Sequence, residues 1–420
     1  MSHFDQFSFA KSVTDALFKG DPEEANNIVS RALEAGDLAP DHYRVINAQR
    51  LIASHNEQVQ RFEECTRDNP DTQFEVIRAQ PRAWKSLGGI PARLTPATPE
   101  GRYETTSPSN PLTGSIDLSK FSQDEAPFFT RAGYEKATSP TTRDVLHVER
   151  NCRLSALGGN DGTLLTGDGL FHPPRSGRVA KFSSSVLVQI AKRSLKEALV
   201  LPFPHSQWNY YHAFAEMTYG LRHVHMIGDA VPIVYDEDRF SLLPVMADML
   251  GIDMARFVKA STLRDHIIET AYLPDAAHFY WDASFVSLYR SAAVRRFSGS
   301  YPAKPIYVSR QKSSRAGSYE SDLAEALEAR GFDIIHAQDL SVTDQIGRFT
   351  NATCIISPHG AGMTNAVFAR SGTPVIEIFE PSMVSPDFYQ RMKFVTENYH
   401  PLVNLDGETT RRVLQVLDAT

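Results

Sequence analysis

Two hydrophobic periods alternate along the second half of the chain. Short apolar runs suited to strands occupy residues 231–235, 267–272, 305–309, 333–336, 353–357 and 374–379. Between them, apolar residues recur at i, i+3 and i+4 over 242–250, 281–297, 320–330 and 342–349, and a further helix is expected after Gly362. Gly251 and Gly331 stand where two of these helices should stop. Strand–helix–strand repetition predicts parallel sheets covered by helices on both faces. The repeats form two blocks, about 185–297 and 303–400, joined by the 299–304 linker. The expectation is an α/β chain with two doubly wound, Rossmann-type domains facing a cleft, and a hinge near that linker.

The first half is patterned differently. Residues 1–95 read as a helical extension. Asp21 is placed to cap a run carrying Ile28, Ala32 and Leu33, and a second helical run spans 40–62. Residues 95–110 are rich in Thr, Pro, Ser and Gly and read as a linker. From 115 to 185, strand-like runs are punctuated by Gly158-Gly159-Asn160-Asp161-Gly162 and Gly167-Asp168-Gly169, which predicts hairpins. The expected division is 1–95, 96–300 and 301–420.

Composition narrows the function classes. The 420 residues are 42% hydrophobic and 22% charged, as in globular proteins, which excludes a disordered chain. With 43 Lys+Arg against 50 Asp+Glu the formal net charge is −7, which argues against a nucleic-acid partner. The most apolar stretch, 184–201, is interrupted by Lys192, Arg193, Lys196 and Glu197, so no transmembrane segment is expected. The start, Met1-Ser2-His3-Phe4-Asp5, lacks the pattern of a signal peptide. Cys65, Cys152 and Cys354 are sparse and form no CxxC pair, which fits a reducing compartment and excludes a zinc ribbon or a disulfide scaffold. These features predict a cytoplasmic protein and leave room for peripheral association with the inner face of a membrane.

Three constellations can carry chemistry. In the first, a buried strand runs into Ser357-Pro358-His359-Gly360-Ala361-Gly362-Met363-Thr364-Asn365 and a helix begins. Ligands of open parallel sheets bind outside the carboxyl ends of strands. Gly360 and Gly362 allow close backbone approach, a helix start suits a diphosphate, and Thr364 and Asn365 can add donors. The alternative is a tight turn with an internally bonded histidine. The second constellation, Ser309-Arg310-Gln311-Lys312-Ser313-Ser314-Arg315, follows the first strand of the same block and shares its ligand-binding edge. Its cations can neutralise phosphate, or form a solvated basic loop. The third begins at Asn209-Tyr210-Tyr211-His212. On a helix of about 100° per residue, Tyr210, Phe214, Met217, Leu221 and Val224 share one face, and His212, Glu216, Tyr219 and His223 share the other. A histidine and a carboxylate four residues apart can bond and tune each other, although such a stripe can also be a water-facing surface. Asp236-Glu237-Asp238, after a short strand, has the form of a metal-binding DxD, but a solvated loop is the simpler reading in so acidic a chain.

The stretch 305–381 resembles the catalytic region of glycosyltransferase family 61. The resemblance rests on Tyr307-Val308-Ser309-Arg310, Arg330-Gly331-Phe332, Asp339-Leu340-Ser341, Asp344-Gln345-Ile346, the run from His359 to Asn365, and Val375-Ile376-Glu377-Ile378. Upstream, Asn209-Tyr210-Tyr211-His212 with Glu216 is similar to the family's Asn-aromatic-aromatic-His segment followed by an acid. Two positions depart from the pattern: Tyr319-Glu320 replaces an Asn-Glu pair, which leaves the role of Arg315 open, and Ser357 replaces an apolar residue. The resemblance covers about 150–385 and implies a GT-B fold with an inverting, metal-independent transfer. No cofactor is needed beyond the nucleotide-sugar donor, for which a UDP-sugar is expected, and a glycan or capsule-type polysaccharide is the acceptor. It implies that Ser309, Arg310, Arg315, His359, Gly360, Ala361, Gly362, Thr364 and Asn365 hold the donor and that Glu377 reaches the ribose hydroxyls. Asn209 and Tyr219 would lie on the acceptor side. Glu216 is the first choice of base with His212 orienting it, and the reverse stays open. The competing readings are a non-catalytic glycan- or nucleotide-binding module on a decayed fold, and a metal-dependent transferase using Asp236 and Asp238.

Overall fold

A computed structural model of the chain describes residues 6–19, 21–78, 102–105, 121–134, 144–154, 164–165, 171–172, 185–201, 209–274, 281–313, 316–405 and 407–419. Three helices open it: α1 (Gln6–Phe18), α2 (Pro22–Glu34) and α3 (Tyr43–Asp68). Asp21 caps α2, accepting from Glu24 N at 2.8 Å, with Pro22 in the first turn. Val13, Leu17, Val29, Leu38, Val45 and Ile52 close a core of their own. The helical reading stops short of residue 95. β1 (Phe74–Arg78) is a strand, and residues 79–95 lie outside the described set.

The middle of the chain is built of strands. β2 (Arg102–Thr105) falls inside the expected linker and pairs antiparallel with β3 (Asp144–Leu154). β3 pairs in turn with β4 (Leu164–Leu165), and β4 with β5 (Phe171–His172), which bears out the hairpin expectation. The glycine runs expected at their turns lie outside the described residues. β6 (Ser185–Gln189) pairs antiparallel with β1. Between β2 and β3, α4 (Ala126–Arg131) sits in a segment that packs far along the chain. Glu125 accepts from Val403 N at 2.9 Å and pairs with Arg412, Tyr134 Oη donates to Ser385 O at 2.9 Å, and Phe129 packs with Phe379. A stretch assigned by sequence to the middle domain therefore straps the last one.

The parallel part of the first sheet contains β7 (Arg193–Val200), β8 (Ile233–Tyr235), β9 (Phe257–Lys259) and β10 (His266–Pro274), in spatial order β10-β7-β8-β9. Between its strands and after them lie α5 (Tyr210–His212), α6 (Leu242–Leu250) and α7 (Ala283–Phe297). Gly251 ends α6 at φ 69°, and Asp282 caps α7 through Phe285 N at 2.7 Å. The sheet is mixed, because β10 also pairs antiparallel with β3. Buried residues of α6 and α7 lie on one face, while Val200, Val234 and Ile268 on the other pack with Cys152 and Leu263. Among the described residues this lobe is wound on one face, not two.

The second sheet is parallel throughout: β11 (Lys304–Val308), β12 (Asp333–Ile335), β13 (Ala352–Pro358), β14 (Val375–Phe379) and β15 (Tyr399–Val403), in the order β12-β11-β13-β14-β15. α8 (Glu320–Glu328) and α11 (Thr409–Ala419) cover one face. α9 (Val342–Thr350), α10 (Asp387–Met392) and the 3-10 segment Ala361–Phe368 cover the other. This sheet is doubly wound as expected. The strand order reverses direction between β11 and β13, which is where ligands of such sheets bind.

The lobes are not separated by an open hinge. One core runs through both, from Leu199, Phe214, Ile233 and Phe285 to Val308, Ile355, Phe368 and Val375. The first half of the 299–304 linker is fastened by side chains. Asn351 accepts from Gly299 N at 3.2 Å and donates to Phe297 O at 2.9 Å, and Tyr301 Oη donates to Asp344 at 2.9 Å.

Candidate active site

The switch point brings together the two segments that leave β11 and β13. Ser309 and Arg310 follow β11, and His359 and Gly360 follow β13. A Cβ on Gly360 would overlap Arg310 Nη2 and lie 2.8 Å from Arg310 Cζ, so the guanidinium rests directly on the glycine backbone. Gly360 has φ 147° and ψ −166°, a conformation that side-chain-bearing residues avoid. His359, Gly360, Ala361, Gly362 and Arg310 are half-buried.

A carboxylate that sequence reasoning did not select shapes the first of these segments. Glu320, the first residue of α8, is buried and accepts from Tyr307 Oη at 2.7 Å, Ser309 Oγ at 2.9 Å and Arg310 N at 3.1 Å. Burial and this carboxylate together push the Tyr307 hydroxyl far above its ordinary range. Ser309 is therefore buried and turned inward, and its part is to hold the Arg310 turn. The available signal was Glu320 itself, which stands where the expected Asn-Glu pair was missing. Lys312 pairs with Asp339 and belongs to the surface. Arg315 lies outside the described residues.

The 359–365 run divides into an open half and a closed half. Thr364 and Asn365 are fully buried. Asn365 donates to Gln345 Oε1 at 2.8 Å and accepts from Tyr210 Oη at 2.7 Å, so its side chain is engaged within the protein. Neither residue is presented to a ligand, which corrects the expectation that they add donors. The segment that follows Gly360 is a 3-10 helix rather than an α-helix.

Glu377 also departs from expectation. It lies inside β14 with no exposed surface. Its Oε1 is 2.7 Å from His359 Nδ1, and its Oε2 accepts from Tyr399 Oη. With both oxygens engaged, this carboxylate orients the His359 ring, which stacks on Phe379 with centroids 4.9 Å apart. Burial, with Glu377 beside it, raises the Tyr399 hydroxyl well above its ordinary value, so it stays protonated as a donor. The acid at the open end of β14 is Glu380. It is half-buried, packs beside Gly317 and Tyr319, and accepts from Asn404 Nδ2 at 3.1 Å.

The third constellation forms a second histidine–carboxylate pair, but not on a solvated stripe. After α5, the helix widens into a π segment, Ala213–Met217, and then tightens into the 3-10 segment Thr218–Met226. Residues 213–224 are all buried, so a uniform wheel of about 100° misassigns the faces. Tyr219 and His223 belong to the core. Tyr219 stacks on Phe285 and lies under the Arg222 guanidinium, so it does not face an acceptor. Asn209 is exposed and caps α5 through Tyr211 N at 3.0 Å. His212 Nδ1 lies 2.5 Å from Glu216 Oε1. The imidazole side chain is 27% exposed and the carboxylate 1%, so the histidine is the member that can meet a ligand.

The two pairs share a wall of aromatic rings. The Phe388 ring is 5.9 Å from His359 and 5.8 Å from Tyr211, whose ring is 5.4 Å from His212. Asp238 is occupied elsewhere, its oxygens accepting from Leu242 N at 2.8 Å and Leu243 N at 2.7 Å as the cap of α6. Among the described residues, no group of three or more His, Cys, Asp or Glu is arranged to hold a metal.

Residues 210–376 match the family model described as Glycosyltransferase 61. The match begins one residue after Asn209 and ends one before Glu377. It contains His212, Glu216, Arg310, Glu320 and the His359–Gly362 loop. No curated protein matches the chain.

Proposed function

From the match of residues 210–376 to the glycosyltransferase 61 family model, we propose that the chain moves a sugar from a nucleotide-sugar donor, a UDP-sugar, to a hydroxyl of a glycan or capsule-type polysaccharide. The proposed transfer inverts the anomeric centre, needs no metal and takes place in the cytoplasm, with the inner face of a membrane as a place of peripheral attachment. No helix among the described residues is long and apolar enough to cross a membrane. The observation that supports the reading best is the meeting of Arg310 with the His359–Gly362 loop at the switch point, beside a second histidine–carboxylate pair.

The acceptor oxygen attacks the anomeric carbon. The bond from that carbon to the diphosphate oxygen breaks, and its electron pair leaves with the nucleoside diphosphate. Charge grows on the departing phosphates, where fixed donors are worth most. Arg310 supplies a permanent cation, and the start of the Ala361–Phe368 segment supplies N–H groups. His359, oriented by Glu377 at its Nδ1, stands beside this loop. The acceptor proton passes to His212 Nε2 while Glu216 holds the Nδ1–H. This reverses the first choice made from sequence, because the Glu216 carboxylate is buried behind the imidazole. Glu380 takes the ribose hydroxyls in place of Glu377, since it lies at the sheet edge and retains acceptor capacity.

A thermal-shift screen against nucleotide sugars tests the reading, because a ligand at 100 times its Kd adds about 2.7 kcal/mol. Donor hydrolysis or transfer should accompany the shift. Binding with neither would support the non-catalytic module. Activity abolished by EDTA and restored by a divalent cation would support the metal-dependent rival.

A further inference from the structure

We propose that Tyr210 and Tyr211 are positioning residues whose hydroxyls clamp the His212–Glu216 turn to the second lobe, fixing the base in register with the diphosphate loop. The inference rests on the transferase reading above.

The two neighbours grip different elements of the second lobe. Tyr210 Oη donates to Asn365 Oδ1 at 2.7 Å. Asn365 lies on the 3-10 segment that leaves the Gly360 loop, and its Nδ2 donates to Gln345 Oε1 at 2.8 Å. Gln345 Nε2 then donates to Ala337 O at 2.8 Å and Leu340 O at 3.2 Å, which completes the chain without an unpaired amide. Tyr211 Oη accepts from Arg391 Nε at 2.7 Å, with the guanidinium 4.8 Å from the ring centroid. Arg391 is buried on α10, which also carries Phe388, the ring against His359. One tyrosine thus holds the helix leaving the diphosphate loop, and the other holds the helix that packs on its histidine. The next residue in the chain is His212.

Phenylalanine at either position would keep the ring contacts, including that of Tyr210 with Phe240 at 5.4 Å. A buried polar network is costly unless every member is paired, and when it is paired it selects one geometry over its neighbours. Register matters here because a misplacement of about 1 Å can cost a reaction ~10²-fold.

The test compares Tyr210→Phe, Tyr211→Phe and the double variant with wild type. Transfer kinetics, UDP calorimetry and amide hydrogen exchange are measured on each. The double variant should lose kcat by about 10–100-fold while donor KM and UDP Kd stay within about twofold. Exchange should quicken at residues 210–217, 361–368 and 387–392 alone. A kcat within about twofold of wild type overturns the proposal, as does a loss of UDP affinity that accounts for the whole loss of turnover. If wild type neither transfers nor hydrolyses any donor, the transferase reading falls. Unchanged exchange protection in the double variant would then overturn the clamp on its own evidence.

Discussion

Gly360→Ala is the sharpest perturbation of the donor site, because one methyl group acts there in two ways. The backbone at φ 147° and ψ −166° is a conformation reserved almost wholly for glycine, and holding alanine in it costs ~1–3 kcal/mol. The new Cβ would also occupy the place of Arg310 Nη2 and stand 2.8 Å from its Cζ. The guanidinium must leave, and with it goes a charge-assisted phosphate contact worth ~1.5–3 kcal/mol. UDP affinity should therefore fall roughly tenfold to a hundredfold. Arg310→Ala should fall by a similar factor, and the double variant by little more, since both remove one interaction. Gly362→Ala is the milder comparison on the same loop, because its Cβ would meet Val308 Cγ1 at 3.1 Å and Ser357 Oγ at 4.0 Å and would leave the Arg310 guanidinium in place. The assay is calorimetry with UDP, supported by a melting curve to confirm that each variant is folded. UDP affinity in folded Gly360→Ala equal to wild type would refute the view that Arg310 on this loop carries the diphosphate.

Three further outcomes are expected. His212→Ala should lower transfer by ~10²–10⁴-fold with UDP affinity unchanged, and Glu216→Gln should lose no more than that; full activity of His212→Ala would remove the histidine from the base role. Glu320→Ala leaves the Tyr307 and Ser309 hydroxyls and Arg310 N without their buried acceptor, so the melting temperature should drop by the equivalent of ~1–3 kcal/mol and UDP binding should weaken with it; an unchanged melting curve would contradict the buried network. Wild type should prefer UDP to its 2′-deoxy analogue and Glu380→Ala should lose that preference, whereas a preference that survives in Glu380→Ala would place ribose recognition elsewhere.

Much of the second lobe could be read from the chain because its inner strands β11, β13 and β14 are buried over most of their length, whereas the edge strand β15, only partly buried, was not expected. Such strands appear as unbroken apolar runs, and glycine marks a helix end at Gly331. The switch point followed from topology, so Arg310 and His359 were expected on one edge and meet there. The first lobe was harder for a specific reason. A helical wheel assumes one period, and the π segment from Ala213 to Met217 followed by a 3-10 segment breaks it. The His212–Glu216 spacing survives because both lie close to the start of the irregular stretch, whereas Tyr219 and His223, farther along, turn into the core. The strap of residues 121–134 left no local signal, since Tyr134 finds its acceptor 251 positions away.

Glu377 shows how position within a strand decides the partners of a carboxylate. An acid within the run Val375-Ile376-Glu377-Ile378-Phe379 is conspicuous, and a carboxylate in a fully buried strand must be paired. Position within the strand decides the partner. Side chains alternate across a sheet, so Glu377 and Phe379 share the face that His359 and Tyr399 occupy, while Ile376 and Ile378 face α8 and α11. Arg310, His359 and Glu380 instead lie past the last ladder pairs of their strands, where a side chain can reach solvent. The same contrast separates the buried Glu216 from the half-exposed His212. In each pair the carboxylate is sealed in the core and the imidazole keeps some exposed surface, so a ligand can reach the histidine and not its partner.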